Sequence, residues 1–307
     1  MKSEYIFKNK LGQGTYGEVY LGDVKTDSFI LTNVAIKKIK IKKTSQDTGE
    51  DIDMVKRELE ILSKLQHSMY TVRYYLAETR VENGNVYLYI VMEKLNEWRM
   101  SIPYLTLNKI KTLFINLLQG LIFIHSKGVV HADIKIENIL EYDGTLIYTD
   151  FGLSCFEPKC DELSGTIKYM DPALYITYQG MLDINYEKEK ISYDSDVYSL
   201  GCVFYYIMMN EDYYDLKDAA DTYEEYFKLY TRKINKLEKR YLGSDNFVKK
   251  MKLDKYYTII TMINIIKEMV YPISIMGNNE SLNKVKRSAK CLLEDLVRNE
   301  YGYSKYC

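Results

Sequence analysis

His131-Ala132-Asp133-Ile134-Lys135-Ile136-Glu137-Asn138, followed by Asp150-Phe151-Gly152, is the stretch on which the fold of this chain turns. Asp133 can accept a proton from a hydroxyl, while Asn138 and Asp150 offer hard oxygen donors of the kind that hold Mg²⁺. From Gly128 to Gly152 the chain reads as short strands and loops punctuated by Gly and Asp. Upstream, Gly12-Gln13-Gly14-Thr15-Tyr16-Gly17-Glu18-Val19 spaces its glycines so that backbone amides can approach phosphates with no Cβ in the way. Alone, that pattern also describes a dinucleotide-binding turn or an ordinary glycine turn. A dinucleotide turn passes into a helix, whereas Glu18-Val19-Tyr20-Leu21-Gly22 continues as a strand. The reading is therefore a glycine-rich hairpin. Val34-Ala35-Ile36-Lys37 next places a lysine on a strand, and Glu58 stands 21 positions further on in a helical stretch, able to pair with that ammonium and aim it at phosphates.

Periodicity around these motifs divides the chain. Ile6 to Leu11, Glu18 to Asp23, Asn33 to Ile39 and Val86 to Met92 are β-branched or aromatic runs between turn residues, and read as strands. Asp53 to Leu65 interrupts them as a helix with Val55, Leu59, Leu62 and Leu65 on one face. Thr106 to Ser126 carries Ile110, Leu113, Phe114, Leu117, Leu118 and Leu121 at helical spacing, and helical patterning resumes from Asp194, broken near Gly243 and Gly277 to Asn279. The expected architecture is α+β, strand-rich before a boundary near Leu95 and helical after it.

The 307 residues are 47% hydrophobic and 28% charged, ordinary for a globular protein, and the net charge of −1 gives no global field for nucleic acid. The cysteines, Cys155, Cys160, Cys202, Cys291 and Cys307, include no C-x-x-C pair. Neither a zinc site nor a disulfide framework is expected, and a reducing compartment fits. No run is read as a membrane span, since Ile259 to Met276 is broken by Lys267 and Glu268, and no signal segment opens the chain. A soluble protein of the cytoplasm or another intracellular compartment is expected. The 31 Tyr and 4 Pro, with Lys far in excess of Arg, match AT-rich codon usage, as in some protozoa and large DNA viruses; for a virus the compartment is the host cell's.

With Gly165-Thr166-Ile167-Lys168-Tyr169-Met170-Asp171-Pro172 and Asp194-Ser195-Asp196-Val197-Tyr198-Ser199-Leu200-Gly201 added, the ordered motifs closely resemble those of the eukaryotic protein kinases. The resemblance covers nearly the whole chain. It implies the bilobal kinase fold, with one catalytic domain over residues 1–307, a β-rich N-lobe at 1–95 and a larger α-helical C-lobe at 96–307. It implies ATP and Mg²⁺ as cofactors and protein substrates as partners, with no nucleic acid and no membrane. By that resemblance the glycine loop from Gly12 to Glu18 covers the phosphates, and Leu11, Val19, Ala35 and Leu140 sandwich the adenine. The backbone of Glu93 and Leu95 binds the adenine edge, and Met92 guards the pocket behind it. Lys37, held by Glu58, contacts the phosphates. Asp133 deprotonates the attacking hydroxyl, Lys135 neutralises the γ-phosphate, and Asn138 and Asp150 hold the metal. Lys135 and Thr166 follow the serine/threonine pattern. A degraded kinase acting as a nucleotide-binding scaffold is the alternative, although Lys37, Glu58, Asp133, Asn138 and Asp150 are all present.

Two departures stand out. Ala132 replaces the arginine that gathers the charge of a phosphorylated activation segment, so activity without such phosphorylation is expected, with Ser154, Ser164 and Thr166 the hydroxyls available there. Asp171-Pro172-Ala173 stands for Ala-Pro-Glu, and no arginine lies near Tyr271-Pro272-Ile273-Ser274-Ile275 to pair with the lost glutamate. The stretch from Asn210 to Lys267 matches the family poorly, and reads as a divergent structural layer or as a docking surface.

Overall fold

Runs of β-branched and aromatic residues between turn residues produce three strands, β1 (Glu4–Gly14), β2 (Gly17–Lys25) and β3 (Ile30–Ile41). The computed structural model describes residues 3–14, 17–41, 50–160, 165–172, 174–175, 190–214, 223–243, 252–271 and 288–298. The chain divides into one unit of Met1–Glu97 with Leu140–Ser154 and another of Trp98–Ile139 with Cys155–Cys307. The boundary thus falls at Glu97, and a return segment joins the first unit.

In the first unit, β4 (Tyr74–Glu82) and β5 (Asn85–Met92) complete an antiparallel sheet of order β1-β2-β3-β5-β4. Strand β4 is absent from the sequence reading because, as an edge strand, it is only partly buried along its whole length and shows no clean apolar alternation. The Asn83-Gly84 turn before β5, with both residues at positive φ, is the local signal that marks it. Val24, Val34, Ile36, Tyr89 and Val91 form a buried cluster on the sheet. Helix α1 (Glu50–Lys64) buries Glu58, Ile61 and Leu62. This face is rotated slightly from the expected one, and Val55 and Leu59 are only half-buried. Strands β7 (Ile139–Tyr142) and β8 (Thr145–Tyr148) form a small hairpin. Tyr148 ties it down, donating to the Tyr70 carbonyl at 2.8 Å and accepting from Val72 N–H at 3.0 Å.

The second unit is built on α2 (Leu107–Ser126), capped by Thr106, whose hydroxyl accepts from Lys109 N–H. By length and composition alone, α2 is long and apolar enough to cross a membrane, which corrects the expectation that no run reaches that length. Its apolar residues nevertheless include the predicted Ile110 to Leu121 set, buried, with Phe114 stacked on Phe204 at 3.7 Å between ring centres. Helix α3 (Tyr193–Met209) is buried along most of its length and packs on α5 (Leu253–Met269), while α2 packs on α6 (Ala289–Arg298). Gly201 permits the α3–α5 approach, since a Cβ there would stand 2.6 Å from that of Met269. Helix α4 (Tyr223–Leu242) ends before Gly243 at φ 58°. Tyr213 and Tyr214 are buried, ringed edge-on or stacked by Tyr198, Tyr205 and Tyr226. The described part of the divergent stretch around them is thus structural core.

The disulfide expectation is corrected. Strand β9 (Cys155–Phe156) pairs with β6 (Val129–Val130), and the turn after β9 returns Cys160 to Cys155, with which it forms a disulfide at a Cα separation of 5.4 Å. A search for C-x-x-C misses it because the intervening residues form a turn that brings the two Cα atoms within bonding range. Cys202 and Cys291 are buried and take no part in a disulfide.

Candidate active site

Each unit carries its own constellation. In the first, β3 and β5 pair so that Lys37 lies opposite Ile90, deep in the sheet, and the buried Glu58 of α1 accepts from Lys37 Nζ at 2.6 Å. Asp150 Oδ1 accepts from the same ammonium at 2.9 Å, with Asp150 held at φ 59°. Burial alone would push the Lys37 ammonium down; the charges of Glu58 and Asp150 overcome it and hold the group above the ordinary lysine range. Lys37 is therefore a fixed positive charge, and the Asp150 carboxylate, 42% exposed, faces outward from it.

The glycine hairpin is closed by register pairs Gly12↔Val19, Gln13↔Glu18 and Gly14↔Gly17, while Thr15 and Tyr16 at its tip lie outside the described residues. Gly17 has a packing reason: a Cβ would stand 2.4 Å from the Lys38 carbonyl oxygen of β3. The side chains of Gln13 and Glu18 turn to the hairpin's own network. Lys10 donates to both, at 2.9 and 2.6 Å, and Tyr20 donates to Glu18 at 2.8 Å. Leu11 is exposed, Val19 and Leu140 are half-buried, and Ala35 is buried opposite Met92. Glu93 N–H donates to the Arg73 carbonyl at 2.9 Å, so its carbonyl is the group it can offer to a ligand. Leu95 is buried.

In the second unit, Asp133 is the centre. Its Oδ1 accepts from Thr166 Oγ1 at 2.7 Å, and its Oδ2 accepts from Lys135 Nζ at 2.6 Å and Asn138 Nδ2 at 3.0 Å. Lys135 also donates to Thr166 Oγ1 at 2.9 Å, and Asn138 Nδ2 to the Asp133 carbonyl at 2.9 Å. The amide of Asn138 thus locks the loop through its nitrogen, which directs its oxygen the other way. Thr166 is engaged in this bridge and Ser154 is buried, so neither is an accessible phosphate acceptor; Ser164 lies outside the described residues. Asp171 is buried, while Ala173 and residues 272–275 lie outside the described residues.

One residue of evident importance had no role in the sequence reading. Asp196, in the first turn of α3 and almost fully buried, accepts from His131 N–H at 2.8 Å and Ala132 N–H at 2.9 Å, and its Oδ2 lies 2.9 Å from His125 Nε2. It anchors the turn into Asp133 from 65 and 64 residues away. The available signal was an acidic side chain in the first turn of an otherwise apolar helix. Its anchorage holds Ala132 at φ 65°, and the carbonyl of Ala132 would stand 2.8 Å from a Cβ on Gly165, itself at φ 126°. Gly165→Ala is therefore expected to destabilise the fold by about 1–3 kcal/mol, measured by chemical denaturation; an unchanged midpoint would remove the constraint. Beyond Gly165, Ser199 Oγ on α3 donates to the Tyr169 carbonyl at 2.7 Å and Lys168 pairs with Asp212 at 2.8 Å, fixing the Gly165–Tyr169 loop to its own unit.

The family model for the protein kinase domain matches residues 5–300. Among curated proteins, the chain is 32% identical over 214 residues to the mouse dual specificity protein kinase TTK, which covers 66% of this chain and 24% of that protein. It is 28% identical to human cyclin-dependent kinase 11B, over 73% of this chain and 27% of that one. It is 27% identical to the Arabidopsis thaliana MAP3K epsilon protein kinase 2, over 73% of this chain and 16% of that protein. The matched part is thus about a quarter or less of each of these relatives.

Proposed function

The chain belongs to the protein kinase domain family, and from that premise we propose that it is an active enzyme transferring the γ-phosphate of ATP to serine and threonine hydroxyls of protein substrates inside the cell. The observation that carries this reading is the Asp133–Lys135–Thr166–Asn138 cluster, with a carboxylate that can accept a hydroxyl proton and an ammonium beside it. A chain kept only as a scaffold has no need to hold these four side chains in mutual hydrogen bonds. Lys37, fixed by Glu58, serves as the phosphate anchor. The hairpin amides from Gly12 to Gly17 cradle the phosphates, Leu11, Val19, Ala35 and Leu140 enclose the adenine, and the Glu93 carbonyl and Leu95 N–H bind its edge.

Asn138 and Asp150 supply an amide and a carboxylate oxygen, the hard donors Mg²⁺ takes when waters and substrate phosphates complete its shell. No cluster of three or more His, Cys, Asp or Glu occurs among the described residues, so the donor set fits an ion shared with phosphates and not a closed protein cage. When bound, Mg²⁺ would neutralise phosphate charge. Asp133 orients the acceptor hydroxyl and takes its proton, and Lys135 balances the transferred group; positioning and electrostatics of this kind dominate phosphoryl transfer.

Acceptor choice is tested by incubating the protein with labelled ATP, Mg²⁺ and generic protein substrates, with phosphoamino-acid analysis of the added substrate. Phosphoserine and phosphothreonine are expected, on the strength of Lys135 and Thr166. Similarity to a relative named as a dual specificity kinase favours a second reading, in which phosphotyrosine appears beside them. A product dominated by phosphotyrosine overturns the acceptor class. No transfer beyond an Asp150→Asn control favours the scaffold.

A further inference from the structure

The Cys155–Cys160 disulfide has no part in the phosphotransfer reading, yet it stands at a junction of the second unit. Cys155 lies on β9 opposite Val130, the residue that leads directly into His131-Ala132-Asp133. Cys160 follows the exposed turn at Glu157-Pro158-Lys159, where Lys159 N–H donates to the Phe156 carbonyl at 2.7 Å. Both half-cystines are buried in one cluster with Val130, Leu174 and Ile191, and Ala132, Met170 and Tyr193 pack against it. The cluster therefore touches the strand before the catalytic loop, the loop itself, the continuation of the Gly165–Tyr169 loop and the lead-in to α3. At its edge Ala132 presents a methyl group where the kinase signature has arginine. A phosphate gains leverage on a loop only through cationic partners, and Ala132 contributes none. The covalent bond occupies the same neighbourhood.

We propose that Cys155–Cys160 is a thiol–disulfide modification site, taking a dithiol as co-reactant, whose oxidised form holds β9 and the Gly165–Tyr169 loop in register with Asp133. The consequence for rate rests on the phosphotransfer reading; the bond and the local order do not. In reduction, one thiolate of the dithiol attacks a sulfur of the pair, at Cys160, and the Cys155 thiolate leaves and is protonated. The second thiolate of the reagent then attacks the mixed disulfide and expels the Cys160 thiolate, which is protonated in turn. The reagent departs as a disulfide, two electrons poorer, and its two protons balance those the protein gains. Oxidation is the reverse, with a small-molecule disulfide accepting the electrons. Reduction returns to residues 155–160 the chain freedom that the closed ring had removed, and asks two separate thiols to pack where one bonded pair did. The residues that lose their support are Val130, Ala132 and Met170.

The test uses the full chain, oxidised with glutathione disulfide and then reduced with dithiothreitol. Alkylation and peptide mapping should recover Cys155 and Cys160 as a linked pair in the first state and as two thiols in the second. On reduction, amide exchange in peptides covering 127–135 and 153–172 should accelerate by about tenfold or more while α2 is unchanged, and kcat should fall about tenfold, roughly 1.4 kcal/mol of barrier. Reoxidation should reverse both. The Cys155→Ala/Cys160→Ala variant should match the reduced protein and ignore dithiothreitol, which excludes effects through the chain's other cysteines, Cys202, Cys291 and Cys307; Cys160→Ser serves if that variant folds poorly. Separate thiols after oxidation, or identical exchange in both states, overturn the site. Changed exchange at constant kcat overturns its catalytic consequence. An oxidised protein that transfers no phosphate defeats the phosphotransfer reading, while mapping and exchange still decide this one.

Discussion

Asp133→Asn lowers kcat by about 10²–10⁴-fold, the range expected when a positioned proton acceptor is removed, and, because Asp133 is buried, also lowers the melting temperature while the protein still folds. The amide oxygen can still accept from Thr166, but the amide nitrogen faces the Lys135 ammonium or Asn138 Nδ2 where a carboxylate oxygen accepted. The variant therefore loses the base and part of the alignment of Lys135 while keeping the size and place of the side chain. Asp150→Asn is expected to act as strongly through a different step. It removes a carboxylate donor suited to Mg²⁺ and one of the two negative charges on Lys37. Its side chain is 42% exposed, so the fold should be spared. The two are separated by titrating Mg²⁺: excess metal should recover part of the Asp150→Asn loss and none of the Asp133→Asn loss. Full activity in either purified, folded variant removes that residue from its role.

The largest effect on stability is expected at Asp196. Its carboxylate accepts from one buried and one part-buried backbone amide and lies within hydrogen-bonding distance of His125, and charge-assisted bonds of this kind contribute more than neutral ones. Asp196→Ala leaves both amides without their acceptor and His125 without its carboxylate, at a cost of about 3–5 kcal/mol, the range for breaking a buried charged network by removing one partner. For a unit of this size the melting temperature should fall by roughly 6–20 °C. Activity should fall with it, because the amides of His131 and Ala132 set the direction from which Asp133 projects. Asp196→Asn should fall between Ala and wild type, since one acceptor oxygen is retained. A melting temperature within about a degree of wild type would show that the catalytic loop is held by other means.

The residues whose roles could be written from the sequence are those that act through local pattern and chemical type. The strands around Lys37, the helix carrying Glu58 and the apolar face of α2 follow from periodicities of two and of 3.6 residues, and these are set within each segment. Lys37, Glu58, Asp133, Asn138 and Asp150 could be named because the ordered motifs that carry them resemble those of the protein kinases. Tertiary structure alone decided the rest. Asp196 reaches His131 across 65 residues; Glu18 turns to Lys10 and Tyr20; Cys160 finds Cys155 through a turn; Tyr213 and Tyr214 stack into core. None of these leaves a periodic trace, because burial of an acid or a tyrosine depends on partners that only the folded chain brings within hydrogen-bonding or packing distance.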